Sequence, residues 1–171
     1  EGSMALIRNG NVTGERKRID RGFSVTGMAL GESSLYETLI NEATVLFRGA
    51  NYTHEVDTIK ELDNFVSINS AIEVDLFGQV NSEFAGGKQL SGTGGAVDFM
   101  RAAKTSSGGK SIIAMNATAK GGKKSKIVPK VEMVTALRTD VDIVVTEFGV
   151  ARIKDLPVKE RGRALVCLLY T

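Results

Sequence analysis

"KTSSGGKSIIAMNATAKGGKKSK", residues 104–126, decides between two architectures. Gly109-Lys110-Ser111 ends like a phosphate-binding loop. Such a loop needs another glycine five positions before Gly109, and Lys104 stands there. It also needs a helix immediately afterwards, whose N-terminal amides and dipole hold the phosphates. The chain instead continues as Ser111-Ile112-Ile113-Ala114-Met115, a short apolar run suited to a buried strand. The order is loop then strand, the reverse of a P-loop. That reading is rejected.

Working outward, strands and helices mix without strict alternation, which predicts an α/β fold with a sheet of mixed direction and flanking helices. Upstream, the pattern predicts a helix over 4–9 stopped by Asn9-Gly10, a strand over 23–30, a helix from an N-cap at Ser33 or Ser34 to about Asn41, and a short strand over 45–49. Residues 65–74 alternate well enough for one long strand. It is expected to turn at 75–78 into an antiparallel neighbour over 79–84, with a bulge near Asn69 or Ser70 repairing the alternation. A glycine-dense loop over 86–95 feeds a helix over 96–103, followed by strands over 112–117, 126–131 and 143–146. Pro157 fits the first turn of a closing helix through Leu169.

The length of 171 residues suits one domain, 1–171, with a substantial core. A hydrophobic content of 42% and a charged content of 25% are ordinary globular values and argue against disorder. The net charge is only +2 but uneven, because residues 101–130 hold eight Lys or Arg and no Asp or Glu. Such a segment suits a phosphate-bearing small molecule, RNA or DNA, or else a solvated edge that resists aggregation. Few aromatics and the modest net charge argue against nucleic acid. One histidine and one cysteine exclude a multi-histidine metal site, a thiolate cluster and a disulfide framework. Cys167, in an apolar run, is expected to be a buried thiol. No apolar stretch reaches membrane-spanning length and no secretory signal is visible, so a cytoplasmic protein is expected.

Several residues could carry chemistry. In "SGTGGAVDF", residues 91–99, the pair Gly94-Gly95 at a loop-to-helix junction lets a ligand approach the backbone. The amides of Gly94, Gly95 and Ala96 would then be free helix-start donors for an oxyanion or a phosphate. Most glycine turns are only turns, so this signal is weak alone. Residues 118–122, with Lys120, form a second candidate loop. Glu147 ends the apolar run 143–146, where α/β enzymes often place polar site groups; an exposed strand-end glutamate is the plain alternative. Asn69 is a poor strand former inside a strand pattern, placed for hydrogen bonding. His54 could act as acid or base, or be a structural loop histidine.

Taken in order, "NFVSINSAIEVDLFGQVNSE", "SGTGGAVDFMRAA", "NATAKGG", "SKIVP" and "VDIVVTEFGVARIKDLPVKERGRAL" resemble the C-terminal domain of the acetyl-CoA hydrolase/transferase family, which includes CoA-transferases acting on 4-hydroxybutyrate, butyryl-CoA and succinyl-CoA. The resemblance runs over 6–165. It implies a CoA-transferase-like fold, acyl-CoA and a small carboxylic acid as substrates, no covalently bound cofactor, and a homodimer without nucleic-acid or membrane partners. Transferase, hydrolase and a non-catalytic CoA-binding module all remain open at this point.

By the same resemblance, Gly95 supplies an oxyanion amide beside Gly94, Lys120 contacts CoA, and Glu147 orients the carboxylate substrate. Asn69, singled out by its strand position and not by the resemblance, is expected with His54, Gly94, Gly95 and Lys120 among the CoA-binding residues. His54 stands where the family pattern has an asparagine in a "YTN"-like turn. The family's nucleophilic glutamate belongs to a "TE" motif that aligns a few residues upstream of Glu1, so a chain truncated past its nucleophile is expected. Glu1 aligns with a later acidic residue, and residues 1–3 are either native or a cloning scar. After Leu165 an alanine-histidine-proline continuation is expected, and residues 166–170 do not supply it.

Overall fold

The computed structural model describes residues 2–169. Glu1, Tyr170 and Thr171 lie outside the described residues. The first part of the chain holds α1 (Gly2–Arg8), β1 (Ser24–Thr26), α2 (Ser33–Ile40), β2 (Val45–Phe47), α3 (Ala50–Thr53) and α4 (Val56–Ile59). Then come β3 (Val66–Asn69), β4 (Glu73–Asp75), β5 (Val80–Asn81), β6 (Phe84–Ala85), β7 (Lys88–Gln89) and α5 (Ala96–Thr105). The chain continues with β8 (Lys110–Ala114), β9 (Thr118–Ala119), β10 (Lys124–Ser125), β11 (Ile127–Val128), β12 (Ile143–Thr146), β13 (Gly149–Arg152) and α6 (Val158–Val166).

The main sheet has the order β13-β12-β8-β3. Its strands β12, β8 and β3 run parallel, with Ile112 registered against both Ile143 and Ile68, and β13 returns antiparallel at the edge. The sheet is therefore mixed, as the pattern predicts. Gly109-Lys110-Ser111 opens β8 and no helix follows it, so the rejected P-loop has no place here. A smaller sheet, β11-β4-β5, carries the antiparallel hairpin.

The expected long strand over 65–74 is corrected. It breaks at 70–72, and its halves enter different sheets: β3 pairs with β8, while β4 pairs with β5 and β11. The turn at 75–78 is present between β4 and β5. Asp75 builds it, accepting the Phe77 amide at 3.0 Å, the Gln79 amide at 2.9 Å and the Gln79 side chain at 2.9 Å. Other boundaries are shorter than the pattern suggests, notably Ser24–Thr26 for 23–30 and Ile127–Val128 for 126–131. Helix α2 starts from Glu32, without a side-chain cap from either serine, and Pro157 is the N-cap of α6 rather than part of its first turn. The glycine-dense loop contains the β6–β7 hairpin, closed by Gly86 and Gly87, both in the left-handed region that such a two-residue turn demands. Cys167 is exposed, correcting the buried thiol, because the turn after α6 sends Leu165 and Leu168 inward instead.

Helix α5 packs on the main sheet through Met100, Ala102 and Ala103. The small alanines let the helix and strand come close. A Cβ on Gly109 would meet the Ala103 carbonyl at 2.1 Å, so only glycine fits the tight return into β8. The C-terminal end of α5 is tied to the start of β3, where Ser106 Oγ accepts the Phe65 amide and donates to the Leu62 carbonyl. Helix and strands are therefore antiparallel, and the start of α5 lies at the carboxyl edge of the parallel strands.

Candidate active site

That carboxyl edge gathers most of the residues singled out from the sequence. Asn69 is the last residue of β3, half-buried, and donates to Ser67 Oγ at 2.8 Å. Glu147 follows β12, exposed, and its Oε2 accepts the Ala117 amide at 2.7 Å just past the end of β8. Gly94, with φ at +56°, precedes Gly95, the N-cap of α5. Asp98 in the first turn and Lys104 in the last complement the helix dipole.

His54, just after α3, reaches over this helix start. A Cβ on Gly95 would come within 2.3 Å of the His54 ring, so imidazole and glycine are in direct contact. The ring is held from both sides: its Nδ1 lies 2.8 Å from Thr53 Oγ1, and its centroid lies 4.7 Å from that of Phe99, one turn into α5. The structure thus brings His54 and Gly95 together and sets Asn69 and Glu147 on the same edge. Lys120 stands apart. It occupies the tip of the β9–β10 hairpin, exposed and with φ at +53°, and among the described residues no hydrogen bond or ion pair joins it to the other candidates.

Residues that pattern reading missed complete the picture. The Lys126 amide donates to the Ala117 carbonyl at 2.8 Å, which sets this lysine beside Glu147. Burial pushes the Lys126 ammonium below its usual pKa, and the Glu147 charge opposes that shift. Nothing in the lysine-rich stretch marks Lys126 among its neighbours. Phe99 was detectable, being four positions after Gly95 and therefore on the same helix face. A hydrogen bond to Asp20 at 2.7 Å holds the Tyr52 phenol above its ordinary pKa, because ionisation would set two anions face to face.

The arrangement offers a backbone amide pair at a helix start, an imidazole against the glycine, and a carboxylate at the end of a neighbouring strand. That suits acyl chemistry on a small carbonyl compound. The sequence profile of the acetyl-CoA hydrolase/transferase C-terminal domain matches residues 31–169. The chain belongs to that family. A 4-hydroxybutyrate coenzyme A transferase of Clostridium kluyveri is 43% identical over 99% of this chain and 40% of its own length. Among solved structures, RipA of Yersinia pestis superposes with a TM-score of 0.93 at 41% identity, over 99% of this chain and 39% of that one. A 4-hydroxybutyrate CoA-transferase of Porphyromonas gingivalis gives a TM-score of 0.86 at 36% identity, over 99% and 40% of the two chains. The family's curated members similar to this chain are CoA-transferases and acetyl-CoA hydrolases. The chain spans about two fifths of the length of the curated transferases it matches.

Proposed function

We infer that the chain is the C-terminal part of a CoA-transferase, one domain over 1–171, that moves CoA between an acyl-CoA and a small carboxylic acid. A glutamate upstream of this chain would attack the thioester carbonyl and displace the CoA thiolate, giving a mixed anhydride. The thiolate would then attack the glutamyl carbonyl, release the first acid and leave a glutamyl-CoA thioester for the second acid to reverse. Gly95 would donate its amide to the developing oxyanion, Glu147 would orient the acid, and Lys120 would meet the CoA. Asn69 and His54 would complete the contacts. In this reading the enzyme is a cytoplasmic homodimer.

The observation that most supports the reading is the glycine start of α5, faced by His54 on the edge that ends in Asn69 and Glu147. A helix start built from two glycines leaves its amides open to a ligand oxygen. Hydrolysis would use the same groups with water as the acceptor. Transfer is preferred because five transferase relatives align along 96–99% of the chain, although another transferase, like the two hydrolases, aligns along only part of it.

Acyl exchange is the test. The 171 residues alone should show no turnover, and a chain extended upstream to include the glutamate should be active. In that extended chain Glu147→Ala should lower exchange steeply, and Gly95→Ala should remove about 2–4 kcal/mol of transition-state stabilisation. A covalent CoA adduct on the 171 residues by mass spectrometry, or full activity in the extended Glu147→Ala variant, would defeat the reading.

A further inference from the structure

The β9–β10 hairpin that carries Lys120 is short. Each strand has two residues, the loop 120–123 joins them, and among the described residues no further strand lies beside the pair. Its loop opens with three left-handed residues, Lys120, Gly121 and Gly122. A lone two-stranded hairpin is marginal in water, so this one needs holding from outside.

Two carboxylates hold it. At its root, Glu147 Oε2 accepts the Ala117 amide at 2.7 Å. On the returning strand, Lys124 Nζ donates to Glu73 Oε1 at 2.8 Å. Glu73 is a buried residue of β4 in the smaller sheet, whereas Lys124 is half-exposed. The other Glu73 oxygen lies 3.5 Å from Asn81 Nδ2, which is engaged by the Phe84 carbonyl at 2.7 Å, so Lys124 is the main partner of this carboxylate. Lys124 also pairs in register with Ala119, the residue just before Lys120. Lys120 and Lys123 are exposed and, among the described residues, form no ion pair. One lysine of the hairpin therefore faces inward, and two are left for solvent or a ligand.

We propose that the Glu73–Lys124 pair positions the hairpin, so that Lys120 meets CoA on a loop already ordered, and that neither residue of the pair touches CoA. The inference rests on the reading of Lys120 as a CoA contact. A charge-assisted hydrogen bond to a buried carboxylate is short and strong, and here it fixes the strand directly across from the start of the loop. Without it, binding must itself supply the ordering of loop and side chain. Glu73 thus acts against the sign of its own charge. A negative group near a polyanion repels it, so charge alone predicts that losing Glu73 strengthens CoA binding. Positioning predicts the reverse.

CoA titrated into the 171-residue chain, followed by NMR at the amides of Lys120, Gly121 and Gly122, reads that sign. Glu73→Gln keeps the side-chain volume and removes the charge, and its dissociation constant for CoA should rise about threefold to tenfold. Glu73→Leu combined with Lys124→Met removes the pair without changing net charge and leaves no buried ion unpaired, a replacement that folds commonly tolerate. It should lose affinity by a similar factor while the amides of β8 and β12 stay in place. Lys124→Arg can still reach Glu73 and should bind CoA as the unaltered chain does. Equal or tighter binding in Glu73→Gln or in the double variant would overturn the proposal, and so would a loss in Lys124→Arg as large as in the double variant. If CoA moves none of the three amides even in the unaltered chain, the assignment of Lys120 falls and this inference with it. If CoA moves them alike in the unaltered chain and the double variant, only the role of the pair falls.

Discussion

Residues 65–169 and residues 2–62 are both mixtures of short strands and helices, yet they bury their apolar side chains in different ways. In the later region Val74, Val80, Met100, Ile113, Val144, Ile153, Leu165 and Leu168 belong to one continuous core between the main sheet, α5 and α6. In the earlier region Met4, Leu35 and Ile59 are the buried apolar residues among those described. Met28, Leu30, Ile40 and Phe47 are all at least half exposed there. Among the described residues its strands β1 and β2 form a parallel pair with no further strand on either side, whereas parallel sheets normally have both faces covered. Folding free energy is concentrated in the later region, and the candidate site draws its rigidity from that region.

The largest expected effect tests this contrast directly. Leu165→Ala or Ile153→Ala should cost about 2–5 kcal/mol in urea unfolding, because each leaves a cavity in a fully buried setting. Leu30→Ala and Ile40→Ala, exposed by 76% and 81%, should change stability by no more than about 0.5 kcal/mol. Comparable losses in the two regions would break the comparison.

Two glycines sharpen it next. A Cβ at Gly109 meets a backbone carbonyl, so Gly109→Ala should strain the return from α5 to β8 and cost about 1–3 kcal/mol. At Gly95 the obstacle is the His54 ring, a side chain that can swing away, although a loss of its hydrogen bond to Thr53 would accompany the swing. Gly95→Ala should therefore cost less than Gly109→Ala in the same unfolding series. The reverse order would mean that His54 is wedged and not merely seated.

These contrasts also show what a one-dimensional reading could reach. The β12 boundaries were legible because Ile143-Val144-Val145-Thr146 is a continuous apolar run closed by Glu147. The helix start at Gly95 was legible because adjacent glycines and the following amphipathic run are local signals. The break at 70–72 was legible only as an irregularity, a bulge near Asn69 or Ser70, because it is the tertiary partners β8 and β11 that separate the two halves into different sheets. Edge strand β13 was missed because Val150 and Arg152 are exposed and Gly149 reads as a turn. The meeting of His54 with Gly95 joins residues far apart in sequence and leaves no periodic trace. The family resemblance pointed to both residues but carries no contact between them.

The smallest effect concerns Lys126, whose half-buried ammonium sits beside Glu147 at the site edge. Its folded-state pKa is depressed below 10.5, chiefly by burial, while Glu147 pulls the other way. Below the folded value the lysine is charged in both states, so the cost of burying the charge is present in full. Between the folded value and 10.5 the unfolded chain binds more protons, and stability contributed by this residue rises with pH. Lys126→Met removes that cost. Its unfolding midpoint should exceed that of the unaltered chain near neutral pH, and the gap should narrow as pH approaches 10.5. Glu147→Gln removes the opposing charge, so the Lys126 ammonium followed by nitrogen-edited NMR should titrate still lower than in the unaltered chain. An unchanged Lys126 titration in that variant would show that the two side chains do not act on each other, and the carboxyl edge would then hold Glu147 through the Ala117 amide alone.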